Sequence, residues 1–119
     1  MLRTLVDRHN PYVLAEIAKN PACPNDLLEQ LRTSNYKVGI FNSPLKDMVA
    51  QNENAPAALL IELANDIDEE VQKSVAINPS CPPQAQLKLV ESDWLVLKYW
   101  LATNPNLIAE VTNQLAFEA

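Results

Sequence analysis

An Asn-Pro dipeptide recurs along the chain, as Asn20-Pro21, Asn78-Pro79 and Asn104-Pro105, with a degenerate copy at Asn52-Glu53. Asn52 and Asn78 are 26 residues apart, and Asn78 and Asn104 are again 26 apart. A signal that returns at such a period is typical of repeat proteins, whose units stack because one unit cannot bury its apolar face alone. The chain is therefore predicted to be an array of short repeats.

The spacing also locates an insertion. Asn20 and Asn52 are 32 residues apart, one period plus six, so extra residues lie between the first two repeats. We predict a single domain, 1–119, with an insertion at 33–43. Its repeats span 10–34, 42–66, 68–92 and 94–119, after a leading half repeat at 1–9.

The residues before each Asn predict a short helix, which we call helix A. Apolar residues lie seven and three positions before the Asn, and an alanine two before it lets a neighbouring backbone approach closely. These residues are Val13, Ile17 and Ala18, then Leu45, Val49 and Ala50, then Val71, Val75 and Ala76, and finally Leu97, Leu101 and Ala102.

Polar residues mark where helix A begins. Asn10, Asn42 and Asp68 lie ten positions before their Asn and are predicted N-caps, because a short polar side chain accepts a hydrogen bond from the free N–H groups there. In the last copy this position is Trp94, preceded by Asp93. The Asn-Pro pair is expected to end helix A, because proline lacks an N–H and disfavours helix in the preceding residue.

A second helix, helix B, is predicted after each turn. It follows a proline suited to the first turn of a helix, in Cys23-Pro24, Ala55-Pro56 and Cys81-Pro82. The leading half repeat would supply most of one more helix B, with Leu2 and Leu5. The expected core residues of helix B are Leu27, Leu28, Leu31, Leu59, Leu60, Leu63, Leu87, Leu89, Val111 and Leu115.

These features predict an all-α fold, a right-handed α-solenoid of about four and a half repeats. The sequence V-x-x-x-V-A-x-N-P-x-C-P at 71–82, and L-L-x-x-L at the end of 20–31, resemble the leucine-rich repeat variant family. The resemblance implies paired short helices, either α with α or α with 3₁₀. Some members carry an N-terminal cysteine cluster for an iron–sulfur centre, but no Cys precedes Cys23 here, so no cofactor is expected.

The composition limits the partners. With 15 acidic and 9 basic residues, the formal net charge is −6, which argues against nucleic-acid binding because that binding depends on clustered Lys and Arg. No segment approaches the ~20 apolar residues of a membrane span. We therefore expect a cytoplasmic protein that binds neither nucleic acid nor membrane.

Reactive groups are few. Cys23 and Cys81 occupy the same position in repeats one and three, so stacking should hold them too far apart for a disulfide or a metal site. They are expected to be small buried apolar residues, with a redox-sensing thiol as the alternative. His9, the only histidine, has no neighbours that would form a catalytic triad.

The recurrent Asn residues are expected to bond the backbone of the turns and not a ligand. Acidic residues such as Asp66 and Asp68 lie where a turn and a helix start favour them, without the spacing of an EF-hand. Gly39 is the only glycine, so a glycine-rich phosphate loop is excluded. Catalytic and metal-binding residues are accordingly not predicted, and the protein is not expected to be an enzyme.

Two departures from the repeat are candidate partner-binding sites. The insertion carries Tyr36 and Phe41, which either contact a partner or fill the gap that the insertion creates. Helix A of the last repeat carries Tyr99 and Trp100, at positions that are not uniformly apolar in earlier copies. Aromatic residues there serve either as a terminal cap or as anchors for a partner.

Lys46, Lys73 and Lys98, one per repeat, are expected on the exposed side of helix A, near Tyr99. They would form a weakly basic ridge able to receive an acidic peptide or protein surface. The alternative is an ordinary solvated helix face.

The sequence thus predicts a non-enzymatic protein–protein interaction module with an unidentified protein partner. One alternative is a self-assembling structural protein, whose ends stack through Leu2, Leu5, Leu115 and Phe117. Another is a small acidic inhibitor or immunity protein that covers a basic active site, suggested by the charge and size.

Overall fold

The computed structural model describes residues 10–34, 37–39 and 43–118, with Glu118 described by its backbone. These residues are mostly helical, as predicted, with one two-stranded antiparallel sheet. The helices are α1 (Pro11–Lys19), α2 (Asn25–Arg32), α3 (Leu45–Ala50), α4 (Ala57–Ala64), α5 (Glu69–Ile77), α6 (Pro83–Leu89), α7 (Leu95–Ala102) and α8 (Ala109–Glu118), and the strands are β1 (Lys37–Val38) and β2 (Ser43–Pro44).

The odd-numbered helices, which are the predicted helices A, contact one another in chain order from α1 to α7. Each of α2, α4 and α6 contacts the helix A that follows it, and α4 also contacts α6. The molecule measures 49 × 26 × 18 Å along its principal axes. Both helices of each pair are α-helical in the described residues, so the 3₁₀ helix that the family resemblance allowed is not found there.

Two of the predicted N-caps are confirmed. The Asn10 side chain accepts a hydrogen bond from the N–H of Tyr12 at 2.8 Å, and Pro11 takes the first helical position. The Asp68 side chain accepts from the N–H of Glu70 at 2.9 Å. These bonds satisfy N–H groups that have no partner within the first turn of a helix.

The third predicted cap, Asn42, is wrong, and the cap position of the last repeat lacks a side-chain bond. The N-cap of α3 is Pro44, so the helix begins later than the predicted cap Asn42, which lies outside the described residues. Trp94 is the N-cap of α7 but makes no side-chain cap bond. Instead, the Ser92 hydroxyl accepts a hydrogen bond from the N–H of Trp94 at 3.0 Å.

The core of helix A follows the predicted spacing in α3, α5 and α7. Their apolar residues seven and three positions before the Asn are fully buried, namely Leu45, Val49, Val71, Val75, Leu97 and Leu101. In α1 the prediction fails, because Val13 is 48% exposed and Leu14 is buried instead. Whereas α3, α5 and α7 each contact the helix B before them, no helix precedes α1 within the described residues.

The core of helix B is predicted correctly in α2 and α4, and on α8 Val111 is buried while Leu115 is only half-buried, so the clear departure is in α6. Leu87, an expected core residue, is 36% exposed, while Ala85, Gln86 and Leu89 are buried. Leu27 and Leu59 lie seven positions after their Asn, and the residue seven after Asn78 is Ala85. Leu87 was predicted to be buried because it is a leucine, whereas the helix buries the same positions relative to the Asn as in the earlier repeats.

The insertion forms the two-stranded sheet. Lys37 pairs with Pro44 and Val38 with Ser43, and Gly39 turns the chain with a φ of +80°, which favours glycine. Val38 is 7% exposed and belongs to the core. The insertion is therefore anchored to the helices through this valine.

Among the described residues, no helix has the length and apolar character needed to cross a membrane.

Candidate interaction surface on the last helix A

The recurrent Asn residues join each turn to the turn before it. The side-chain amides of Asn52, Asn78 and Asn104 are buried and each donates two hydrogen bonds to backbone carbonyls of the preceding repeat. The acceptors are Ala18 and Asn20 at 2.8 and 2.7 Å, then Ala50 and Asn52 at 2.9 and 2.9 Å, then Ala76 and Asn78 at 2.7 and 2.8 Å. The predicted backbone bonding is confirmed, and the structure adds that it crosses between repeats.

The same Asn side chains also hold their own turns. Each carbonyl oxygen accepts from the N–H two residues later, as the Asn78 side chain does from Ser80 at 2.8 Å. The residues two positions after each of these three Asn residues also carry side-chain donors, and these form a second row of hydrogen bonds. The side chains of Asn54, Ser80 and Asn106 donate to the carbonyls of Pro21, Glu53 and Pro79 at 2.8, 2.5 and 2.7 Å.

Neighbouring helices A are also joined through their side chains. On one helix A, the residue five positions before its recurrent Asn contacts a residue of the following helix A, the one four positions before the recurrent Asn there. The Ser74 hydroxyl on α5 donates to the buried Asp47 carboxylate on α3. The Lys73 ammonium on α5 lies 4.4 Å from the centre of the Trp100 ring on α7, a cation–π contact. The position five before the Asn therefore faces the following helix A.

Asp47 is a buried carboxyl at this junction. It is 5% exposed, and burial raises its pKa because the charged form loses hydration. The hydroxyl of Ser74 and the side chain of Gln51 donate hydrogen bonds to it and oppose that rise, while Glu70 and Asp68 add to it. The junction between α3 and α5 is thus polar and sensitive to pH.

Tyr99 lies at the equivalent position on α7, five residues before the Asn, and its side chain is exposed there. Ala15 and Asp47, at this position on α1 and α3, are 6% and 5% exposed, whereas Tyr99 is 63% exposed. Its ring meets Trp100 edge to face, with centroids 5.2 Å apart. This geometry is favourable for an aromatic pair, and it holds the exposed Tyr99 ring against the half-buried Trp100 ring.

Two more apolar side chains accompany Tyr99. Leu95 is 76% exposed and Val96 is 48% exposed, and they precede Tyr99 by four and three residues, which places them on the same side of α7. We call Leu95, Val96, Tyr99, Trp100 and Lys73 the α7 surface. Leu95, Val96 and Tyr99 lie exposed beside the half-buried Trp100, although the protein offers a core in which similar residues are buried.

The predicted lysine ridge is divided by the structure. Lys73 reaches the α7 surface through Trp100, whereas the Lys46 ammonium pairs with the Asp66 carboxylate at 2.8 Å. Lys46 and Lys98 lie six residues before their Asn and Lys73 lies five before, so they do not share one row. Burial raises the pKa of Asp66, but hydrogen bonds from Lys46 and from the N–H of Asp68 outweigh it, and the pKa is lowered.

The remaining predicted contact residues are placed as follows. Tyr36 and Phe41 of the insertion, and Leu2 and Leu5 of the leading half repeat, lie outside the described residues. On α8, Leu115 is half-buried against the core, and Phe117 is 90% exposed. Phe117 is thus a further open aromatic residue in the last repeat.

A basic groove between the first two repeats is a weaker candidate. Arg32, Lys37 and Lys46 line it, with a volume of about 310 Å³. Arg32 already pairs with the carboxylates of Glu29 and Glu62 at 2.9 and 3.4 Å, and Lys46 is paired with an aspartate. Because most of the positive charge is compensated within the protein, little is left to attract an anion.

Both cysteines are free thiols and are buried, as expected. Burial raises the pKa of Cys23, with a smaller contribution from Asp26, and raises that of Cys81 to about 12. The redox alternative required a lowered thiol pKa, so these values contradict it. Within the described residues, no group of three His, Cys, Asp or Glu side chains is arranged to hold a metal ion.

Sequence reasoning missed the role of Gln86. It is 1% exposed on α6, where it donates to the carbonyls of Cys81 and Asn106 at 3.0 and 3.1 Å. Its carbonyl oxygen accepts from the N–H of Ile108 at 2.9 Å. The signal was present, because earlier repeats have a proline, without an N–H, at the position of Ile108.

No protein-family model matches the chain, and neither a curated protein nor a solved structure matches it.

Proposed function

We propose that this protein is a right-handed α-solenoid of the leucine-rich repeat variant type that serves as a non-enzymatic protein interaction module. Three features support the solenoid. The helices A contact one another in chain order, the Asn amides recur in the same bonding pattern, and the apolar positions recur with the 26-residue period. A row of repeats of this kind offers extended surfaces for partners.

The α7 surface carries the functional proposal. Burying a side chain such as Leu95 or Val96 stabilises a protein by about 1.5–3 kcal/mol, yet these residues and Tyr99 lie open. Tyr and Trp are also the residues that most often dominate binding energy at interfaces. The contacts of Trp100 with Tyr99 and Lys73 hold the rings in place, so binding orders few additional rotamers.

The thiol chemistry supports a binding role over a catalytic one. A nucleophilic cysteine needs a thiolate near neutral pH, and the pKa of Cys81 is raised to about 12. The side-chain amides of Asn52, Asn78 and Asn104, which belong to the most regular polar feature of the chain, are engaged by backbone carbonyls. The chain is therefore proposed to act through its surface.

The test is capture of partners from the source cell by immobilised protein. Three forms are compared, namely the unmodified chain, Tyr99→Glu, and a control, Ile67→Glu. Ile67 is 93% exposed and lies in the loop between α4 and α5, so the control makes the same exchange of an exposed apolar side chain for an acid. Circular dichroism establishes that each variant is folded.

We expect a protein that is retained by the unmodified chain and the control and is lost with Tyr99→Glu. Capture that is the same for all three forms would reject the α7 surface as the binding site. Absence of any specific partner would reject the interaction module itself.

A further inference from the structure

Within the described residues, the hydrogen-bonding pattern of the recurrent Asn residues ends in backbone acceptors at one side of the molecule and in an exposed amide donor at the other. Ala18, Ala50 and Ala76, two residues before the first three recurrent Asn, are fully buried. Ala102, the fourth member of this row, is exposed. The first three alanines lie where the following Asn reaches their carbonyls, and no following Asn lies over Ala102 within the described residues.

The open end near Ala102 presents acceptors. The carbonyls of Ala102 and Asn104 hold the position of three earlier carbonyl pairs, each of which receives one Asn amide at 2.7–2.9 Å. Among the residues that the structure describes, no side chain donates to these two carbonyls. We call this end, together with the adjoining Tyr99, the tail.

The opposite end presents the matching donor. Asn20 is exposed, and its side-chain oxygen accepts from the N–H of Ala22 at 2.9 Å, as in the other turns. Its backbone is also equivalent, with φ and ψ of −73° and 124° against −68° and 123° at Asn78. Within the described part of the chain, the Asn20 amide group has no acceptor. We call this end, with α1, the head.

We propose that a second copy of this chain docks head to tail, with its Asn20 amide on the carbonyls of Ala102 and Asn104 of the first copy. This inference rests on the proposed function, because it names the occupant of the α7 surface. The argument is continuity, since the new contact repeats a bonding arrangement found three times within the molecule. Small Ala102 permits the close approach that Ala18, Ala50 and Ala76 permit inside the chain.

The side chains around this contact fit the same arrangement. Residues at the Tyr99 position face the residue four before the next Asn, which on the docking α1 is Glu16. The phenol of Tyr99 is then covered and lies beside the Glu16 carboxylate, which pairs with the Lys19 ammonium at 2.8 Å and can accept a further hydrogen bond.

The geometry predicts that copies add one after another to form longer assemblies, and not a closed dimer. A contact between different surfaces of two copies leaves a head and a tail open, so further copies can add. The net charge of −6 on each copy opposes the contact, so salt that screens this repulsion should strengthen it.

The test is sedimentation velocity of the 119-residue chain over a concentration series at two salt concentrations. Asn20→Asp keeps the oxygen that holds its own turn and replaces the amide donor by a carboxylate, and Ala102→Arg blocks the tail with an exposed side chain. The matched controls are Asn25→Asp on α2 and Ala58→Arg on α4, both at exposed positions away from the two ends.

We expect the unmodified chain and both controls to sediment faster as concentration rises. Each end variant should raise the dissociation constant at least about tenfold, because two hydrogen bonds or the close approach are lost. Mixing Asn20→Asp with Ala102→Arg should give a one-to-one dimer, since one variant retains its tail and the other its head.

Two results would overturn the inference. One is an unmodified chain that stays monomeric at all concentrations. The other is a dimer that survives Asn20→Asp, which points to a symmetric contact between two copies of α7. A chain that is monomeric yet still captures a partner through Tyr99 would remove the head-to-tail contact and leave the interaction module in place.

Discussion

Asn78 and Asn20 provide a matched test of the bonds between repeats. Both precede proline and both accept from the N–H two residues later, but only the Asn78 amide donates to the preceding repeat, to Ala50 and Asn52 at 2.9 Å each. Substituting either by alanine removes the local bond. The difference between Asn78→Ala and Asn20→Ala therefore isolates the two bonds that cross between repeats.

The magnitude follows from burial. Asn78 is 2% exposed, and each of its two lost bonds contributes about 1 kcal/mol. The carbonyl of Asn52 keeps one donor, the N–H of Ala55 at 3.1 Å, whereas the Ala50 carbonyl is left buried without one, at a further cost of about 1–2 kcal/mol. We expect Asn78→Ala to lose about 3–4 kcal/mol more than Asn20→Ala, which corresponds to about 12–16 °C in Tm.

Guanidinium unfolding measures this difference, followed by circular dichroism and by the fluorescence of Trp94 and Trp100 at a concentration where the chain is monomeric. Coincident transitions justify two-state free energies. If the two variants lose the same stability within about 0.5 kcal/mol, the two bonds donated by the Asn78 amide do not stabilise the fold, and the reasoning is wrong.

Three further predictions concern buried polar groups. The pKa of Asp47 in the folded protein is raised above 3.8, so its stabilising contribution is full below that pH and is lost as pH rises through the folded pKa. Asp47→Asn should therefore be more stable than the unmodified protein at pH 7. Urea unfolding should show that this advantage is lost towards pH 4. Cys81 should resist iodoacetamide at pH 7.5 until the protein is unfolded, and rapid alkylation of the native protein would contradict its raised pKa of about 12. Gln86→Leu should cost about 1–3 kcal/mol, because the part-buried N–H of Ile108 loses its acceptor, and adding Ile108→Pro should recover part of this loss in a double-mutant cycle.

The helices were predictable because their signals are local. The period, the Asn10 and Asp68 caps and the Asn-Pro ends of helix A each act within a few residues, and the structure retains them. The failures lie where the packing of one helix against another decides which side is buried. Val13 has the spacing of a core residue, yet it is 48% exposed and its neighbour Leu14 is buried in its place.

The candidate surface was predictable only in part. Tyr99 was identified from its departure from the repeat, but its exposure depends on which side of α7 is covered, and the sequence does not show that. Lys46 and Lys73 differ by one position relative to the Asn, a rotation of about 100° on a helix, and this separates them into different contacts. The two hydrogen bonds donated by each buried Asn side-chain amide could not be predicted, because the sequence does not show which backbone carbonyls lie beside the next turn.

The most direct measurement is site-specific photo-crosslinking in the cells that make the protein. A benzophenone amino acid replaces Tyr99 in one form and Ala58 in a control, at exposed positions on α7 and α4. We predict discrete protein adducts from position 99 that are absent from position 58, with peptides from α1 of a second copy among them if head-to-tail docking occurs. Identical adducts from both positions, or none from position 99, would contradict a binding role for the α7 surface.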